Sequence, residues 1–184
     1  MVYWDDLGFD TNFAVDSDLE YPGDGRWTSP QVLVGDELGA GPLAEISPFE
    51  DAPWLLASGL TSVGGLYGCP DPDALCVFAR GESAVFVGVR EPHTQTRLGI
   101  TPVRIASAHE PSLLLMTEVD SVSAFDADGS RRWRSKAIAL DLHILRTDNG
   151  RIVCRGFGLD ASTTVVATLD AATGAFLEGG PLFL

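Results

Sequence analysis

The sequence is short of lysine, of cysteine and of long apolar runs, and each shortage closes off a class of protein. Lys136 is the only lysine among 12 basic residues, set against 26 acidic ones, for a formal net charge of −14. A basic face able to neutralise a run of phosphates does not fit that balance, which argues against nucleic-acid binding. Cysteine occurs three times, at Cys69, Cys76 and Cys154. An odd count favours reduced thiols. Cys69 and Cys76 bracket Pro70-Asp-Pro-Asp-Ala-Leu75, where a bridge is sterically feasible; the plainer reading is a pair of buried or loop thiols. Zinc would need closely spaced cysteine pairs or neighbouring histidines, and neither occurs. No stretch approaches the roughly 20 apolar residues that span a bilayer. The longest, Leu113-Leu-Leu-Met116, suits a buried strand. The opening MVYWDDLGFD has no basic segment followed by an apolar one, so no signal peptide is expected. Together with the thiols, this predicts a cytoplasmic protein.

Sequence signatures of catalysis are also missing. There is no Gly-x-Ser-x-Gly elbow, no phosphate-binding loop and no His-Glu-x-x-His. Gly64-Gly65 marks a turn or bulge, because no helix opening with Lys-Ser/Thr follows. The histidines are His93, His109 and His143. His143 lies in the apolar Asp141-Leu-His-Ile-Leu145 and reads as a core or outer-face residue. His109-Glu110 is the one neighbouring acid/base pair, and adjacency alone is weak support for proton transfer. Calcium loops fail on spacing. From Asp10, the sixth and twelfth positions are Val15 and Tyr21; from Asp16 they are Tyr21 and Trp27, where glycine and glutamate are required. No catalytic residue, metal or cofactor is therefore expected.

What the sequence has is acid, unevenly spread. Residues 1–60 hold 12 acids and a single base, Arg26, for a net of −11; residues 61–184 carry only −3. A solvated acidic face that keeps the protein soluble is one reading. The sharper one is a patch that steers a basic partner and discriminates against wrong ones. Aromatics are interleaved with the acids, and such residues anchor interfaces or hold loop-rich chain onto a core. The residues expected to carry such a patch are Asp5, Asp6, Asp10, Asp16, Asp18, Glu20, Asp24, Asp36 and Glu37, with Trp4 and Tyr21.

The chain patterning is β. Gln31–Gly39 reads as a strand running into a turn, and Pro42–Leu60 has room for a short helix limited by Pro48 and Pro53. From Leu75 onward apolar runs recur every 8–12 residues or so, broken by turn residues. Arg80-Gly-Glu82 separates two of them. Asp148-Asn149-Gly150 separates another two and has the chemistry of a type I′ hairpin turn. No long amphipathic helix competes. The expected fold is a single all-β domain: an antiparallel sandwich or barrel, or a small propeller-like assembly of sheets, with an irregular acidic segment over residues 1–60.

One pattern repeats. Val122–Trp133 (VSAFDADGSRRW) and Val166–Leu177 (VATLDAATGAFL) each place an Asp-Ala pair, a glycine turn and a large apolar residue seven positions beyond the Asp. Asp126 and Asp170 are 44 residues apart, close to the period of a propeller blade. Ala124-Phe-Asp126 with Asp128-Gly129 and Trp133, and Thr168-Leu-Asp170 with Thr173-Gly174 and Leu177, resemble the repeat of quinoprotein-type (PQQ-like) β-propellers. The resemblance covers roughly residues 112–180. It implies structural roles: Asp and Gly set the turn, and the Trp packs between blades. The second copy lacks the Trp, and no polar set for a central channel can be placed, so quinone binding is not carried over. Two functions fit these features. One is a protein-binding module, such as an immunity-type antagonist of a basic toxin. The other is a propeller-like scaffold that binds a small ligand or assembles with itself.

Overall fold

The structure, a computed structural model, describes residues 3–19, 26–34, 42–58, 63–79 and 83–181. Among these there are strands, turns and no helix, so the protein is all-β. The chain divides into two compact units, residues 1–99 and 100–184.

The first unit contains β1 (Trp4–Asp5), β2 (Phe13–Asp16), β3 (Gln31–Val34), β4 (Pro42–Pro48), β5 (Trp54–Ser58), β6 (Val63–Gly68), β7 (Ala74–Ala79), β8 (Val85–Gly88) and β9 (Gln95–Arg97). They form two sheets, ordered β2-β4-β5-β3 and β1-β6-β7-β8-β9. Most pairs are antiparallel; β3–β5 and β1–β6 are parallel. Apolar side chains at alternate positions, Val32 and Val34, Ala44 and Ile46, face Leu66, Leu75, Val77, Val85 and Val87 in one buried cluster. The period-two alternation puts these residues on one side of each strand, and burying that side drives the sheets together. Trp54 crosses this core, and its Nε1–H donates to the Val89 carbonyl at 3.0 Å.

The short helix expected within Pro42–Leu60 is not formed. β4 and β5 occupy its place, paired antiparallel from Ile46↔Trp54 to Pro42↔Ala57. Proline at 48 and 53 brackets the turn between two strands instead of trimming a helix, and Ala44 and Ile46 are buried with a strand period.

The second unit contains β10 (Arg104–His109), β11 (Ser112–Thr117), β12 (Val122–Phe125), β13 (Arg131–Arg134), β14 (Leu140–Asp148), β15 (Arg151–Phe157), β16 (Thr164–Asp170) and β17 (Phe176–Glu178). They make two four-stranded antiparallel meanders, β10 to β13 and β14 to β17. Leu113, Leu115, Val122 and Ala124 of the first pack against Leu142, Ile152, Cys154, Ala167 and Leu169 of the second.

The two sequence repeats form corresponding hairpins in the two meanders, the second with a turn one residue longer. Each hairpin has its register shift immediately before the Asp, at Ala124/Phe125 and at Thr168/Leu169. In the first, the Gly129 N–H donates to the Asp126 carbonyl at 3.0 Å, and the Asp128 carboxylate accepts from the Ser130 N–H at 2.9 Å. In the second, the Gly174 N–H donates to the Asp170 carbonyl, and the Asp170 carboxylate takes both the N–H and the hydroxyl of Thr173. Gly129 and Gly174 have φ of +76° and +70°, the left-handed region that favours glycine. Asn149 and Gly150 are both left-handed, at +47° and +70°, as a type I′ turn requires.

Trp133 links the meanders. Its Nε1–H donates to the Ala171 carbonyl at 2.9 Å, and its ring lies over Gly174, where a Cβ would sit 2.5 Å from Cε3. The first copy's tryptophan therefore seats on the second copy's turn. Leu177, seven positions beyond Asp170 in the sequence, is 47% exposed, and the register places Glu178 opposite Thr168 where Trp133 stands opposite Ala124.

Candidate functional site

Asp5, Asp6 and Asp16 of the first unit are built into its turns. Asp5 accepts from the Tyr3 hydroxyl and from the Leu7 N–H, both at 2.8 Å, and Asp6 accepts from the Gly8 N–H at 2.7 Å. Leu7 and Gly8 are left-handed, so the two carboxylates brace a tight turn. The Asp5 carboxylate also raises the Tyr3 phenol above its usual range, first through the hydrogen bond and then by charge. Asp16, at the end of β2, accepts from the Asp18 N–H at 2.9 Å. Asp6, Asp10, Asp16 and Asp18 are exposed and Asp5 is half-buried. Trp4 is half-buried too, packed on the core with its ring 5.7 Å from that of Phe13. Glu20, Tyr21, Asp24, Asp36 and Glu37 lie outside the described residues.

One further residue belongs beside this group, and charge counting does not find it. Phe49 is 69% exposed, the most exposed of the large hydrophobics described, and stands next to exposed Glu50 and Asp51. Its N–H donates to the Asn12 carbonyl at 3.0 Å, which ties it to the segment carrying Asp10. Asn12 in turn donates to the Asp73 carboxylate at 3.1 Å, and Arg90 bridges Asp73 and Glu50. The Asn12 hydrogen bond, aided by Arg90, holds Asp73 below the usual carboxylate range. An exposed aromatic among carboxylates, on a hydrogen-bonded frame, presents apolar area and negative charge together.

In the second unit, the Asn149-Gly150 turn meets the Glu110-Pro111 turn, and a cavity of about 200 Å³ opens between them. His109, Glu110, Asp148, Asn149 and Arg151 line it. His109 Nε2 lies 3.3 Å from the Ser107 hydroxyl on the same strand, and both residues have further contacts. His143 sits on the sheet surface, 3.6 Å from Asp141, and His93 lies exposed in a turn.

All three cysteines are free and buried, Cys69 and Cys76 included. Burial pushes their thiols up, Cys154 to about 12. Thiols held protonated in this way are poor nucleophiles. Among the described residues no group of three or more His, Cys, Asp and Glu side chains is arranged to hold a metal ion, and no helix is long and apolar enough to cross a membrane. No family model, curated protein or solved structure matches the chain.

Proposed function

We propose that this protein is a cytoplasmic binding module that docks a basic protein partner through the acidic face of its first unit, as an immunity-type antagonist docks a basic toxin. The observation that carries this reading is Phe49, exposed on a turn beside exposed Glu50 and Asp51 and hydrogen-bonded to Asn12. Interface centres are enriched in aromatics and rimmed by charge, and a strongly negative face speeds encounter with a positive one. Affinity capture from the native host, at low and at high salt, tests the proposal when run beside the variant Asp10→Asn/Asp16→Asn/Phe49→Ser. The wild type retains a basic protein at low salt and the variant loses it. Retention of the same proteins by both overturns the proposal, as does retention of none.

A second reading, a scaffold of propeller-type blades, is favoured by the joint between the meanders. An indole that leaves one four-stranded sheet and seats on the Asp-Gly turn of the next is the role the quinoprotein-type resemblance implies for Trp133. The two readings are compatible, because blades supply the frame and the acidic face the contact.

A further inference from the structure

The chain has two asparagines, Asn12 and Asn149, and they are held in opposite ways. The Asn12 side-chain amide donates to the Asp73 carboxylate at 3.1 Å, its N–H and C=O are bonded to Pro72 and Phe49, and the bulky Phe13 follows it. Asn149 is exposed at the tip of the β14–β15 hairpin, directly ahead of Gly150. Among the described residues, neither its side-chain amide nor the Gly150 N–H has a hydrogen-bond partner. The tip also lines, with Glu110, the cavity of about 200 Å³, which has room for several water molecules. An unengaged amide, an unengaged N–H on the next residue, no side chain on that residue and nearby water together favour attack by the backbone on the asparagine.

We infer that Asn149 is a site of spontaneous deamidation, and that its isoaspartyl product loosens the joint between the two meanders. The Gly150 nitrogen, on losing its proton, bonds to the side-chain carbonyl carbon of Asn149. The bond from that carbon to the amide nitrogen breaks, and the amide leaves with the proton as ammonia, which closes a five-membered succinimide. One water then opens the ring. Opening at the side-chain carbonyl leaves an aspartate; opening at the main-chain carbonyl leaves an isoaspartate, with the chain rerouted through Cβ and Cγ. No electrons are exchanged and water is the only co-reactant. A type I′ turn sets ψ of its first central residue at about +30°, which points the next N–H away from that side chain. Attack therefore follows local opening of the turn tip, an event far more frequent there than in core strands. The isoaspartate adds one carbon to the main chain of a two-residue turn whose fit rests on left-handed φ at both positions, +47° and +70°. That turn sets the pairing Asp148↔Arg151 and places the Gly150 carbonyl to accept from the Ala171 N–H at 2.8 Å. The Ala171 carbonyl in turn accepts from Trp133. A rerouted chain at residue 149 thus reaches the seat of the indole through a single residue.

Ageing the purified full-length protein at physiological temperature, in mildly acidic and mildly alkaline buffer, tests this. Tryptic mapping by mass spectrometry, with unaged protein as the baseline, follows the peptide Thr147–Arg151 and the peptide that holds Asn12. The mass change of an amide becoming a carboxyl should grow with time in residues 147–151, faster in the alkaline buffer because attack needs the deprotonated nitrogen. It should run at least about tenfold faster than at Asn12, which asks for a barrier difference of only about 1.4 kcal/mol. Isoaspartate-specific enzymatic methylation should label the aged peptide. The variant Asn149→Gly has no amide to lose, and Gly-Gly suits a type I′ turn; circular dichroism confirms that it is folded. Urea unfolding should show a lower midpoint for aged than for fresh wild type and no such drop for the aged variant. An unchanged Asn149 after weeks, or equal rates at Asn149 and Asn12, overturns the site. A modified protein with an unchanged midpoint, or an equal drop in Asn149→Gly, overturns its effect on the joint.

Discussion

Gly174→Ala should be among the most damaging single-methyl changes in the protein, and most of its cost should depend on Trp133. The φ of +70° at Gly174 is one that an alanine reaches at a cost of about 1–2 kcal/mol. The new methyl would lie 2.5 Å from Trp133 Cε3 and 2.7 Å from Cδ2, where carbon atoms settle at about 3.5–4 Å. The ring must retreat by about 1 Å. It is held in place, because only 9% of Trp133 is exposed and its N–H is bonded to the Ala171 carbonyl. Overpacking costs about 1–3 kcal/mol and a strained hydrogen bond about 1 kcal/mol. The total is about 3–6 kcal/mol, a large part of the stability of a typical domain. With Trp133→Ala already in place the steric part vanishes and only the backbone part, about 1–2 kcal/mol, remains. Urea unfolding of wild type, both single variants and the double variant, followed by far-UV circular dichroism, closes the cycle. The expected coupling is about 2–4 kcal/mol. Equal costs for Gly174→Ala with and without the indole would refute the seating of Trp133 on this turn.

Three other outcomes are expected. A thiol reagent at pH 8 should label no cysteine in the folded protein and three after denaturation, since Cys69, Cys76 and Cys154 are buried and burial pushes each thiol up; rapid labelling of the native protein contradicts this. Asp73→Asn should destabilise the protein at neutral pH. Because the folded-state pKa of Asp73 is lowered, its contribution is complete above the unfolded value of about 3.9 and is lost as pH falls through the lower folded value. Unfolding curves of wild type and variant should thus converge in acid, and a gap that widens there is the wrong sign. Trp54→Phe removes the donor to the Val89 carbonyl and should cost about 1–3 kcal/mol in the same urea assay, whereas replacing the exposed Leu159 by serine should cost less than about 0.5 kcal/mol.

Much of the fold is legible in the sequence where turn chemistry is strict. Asn149-Gly150, Asp128-Gly129 and Thr173-Gly174 declare themselves because few residues tolerate positive φ, and the strands on either side follow. The first unit is harder to read. β1 has two residues and pairs in parallel with a strand some 60 positions away, Trp4 against Leu66, so no local period marks it. Pro48 and Pro53 suit a helix end and a strand-linking turn equally well, and only the pairing of β4 with β5 decides. The misplaced helix also hid Trp54, whose indole spans two sheets as Trp133 does. The acidic bias of residues 1–60 follows from counting charges, but counting does not reveal that Asp5, Asp6 and Asp16 hold turns or that Phe49 is left outside. Nor does it place Arg151 and Arg155 on one surface, which they share only through the two-residue period of β15 and its register with β14 and β16.

The indole joints also have a direction. In each unit the tryptophan comes from the earlier sheet and the accepting carbonyl from the later one: Trp54 to Val89, Trp133 to Ala171. A joint with distinct giving and receiving ends encodes sequence order in three dimensions, as a plug and socket fix which way a cable runs. Exchanging the two meanders of the second unit would bring Glu178 to the giving end, where its side chain has no N–H to offer. The same sheets joined in exchanged order should not fold.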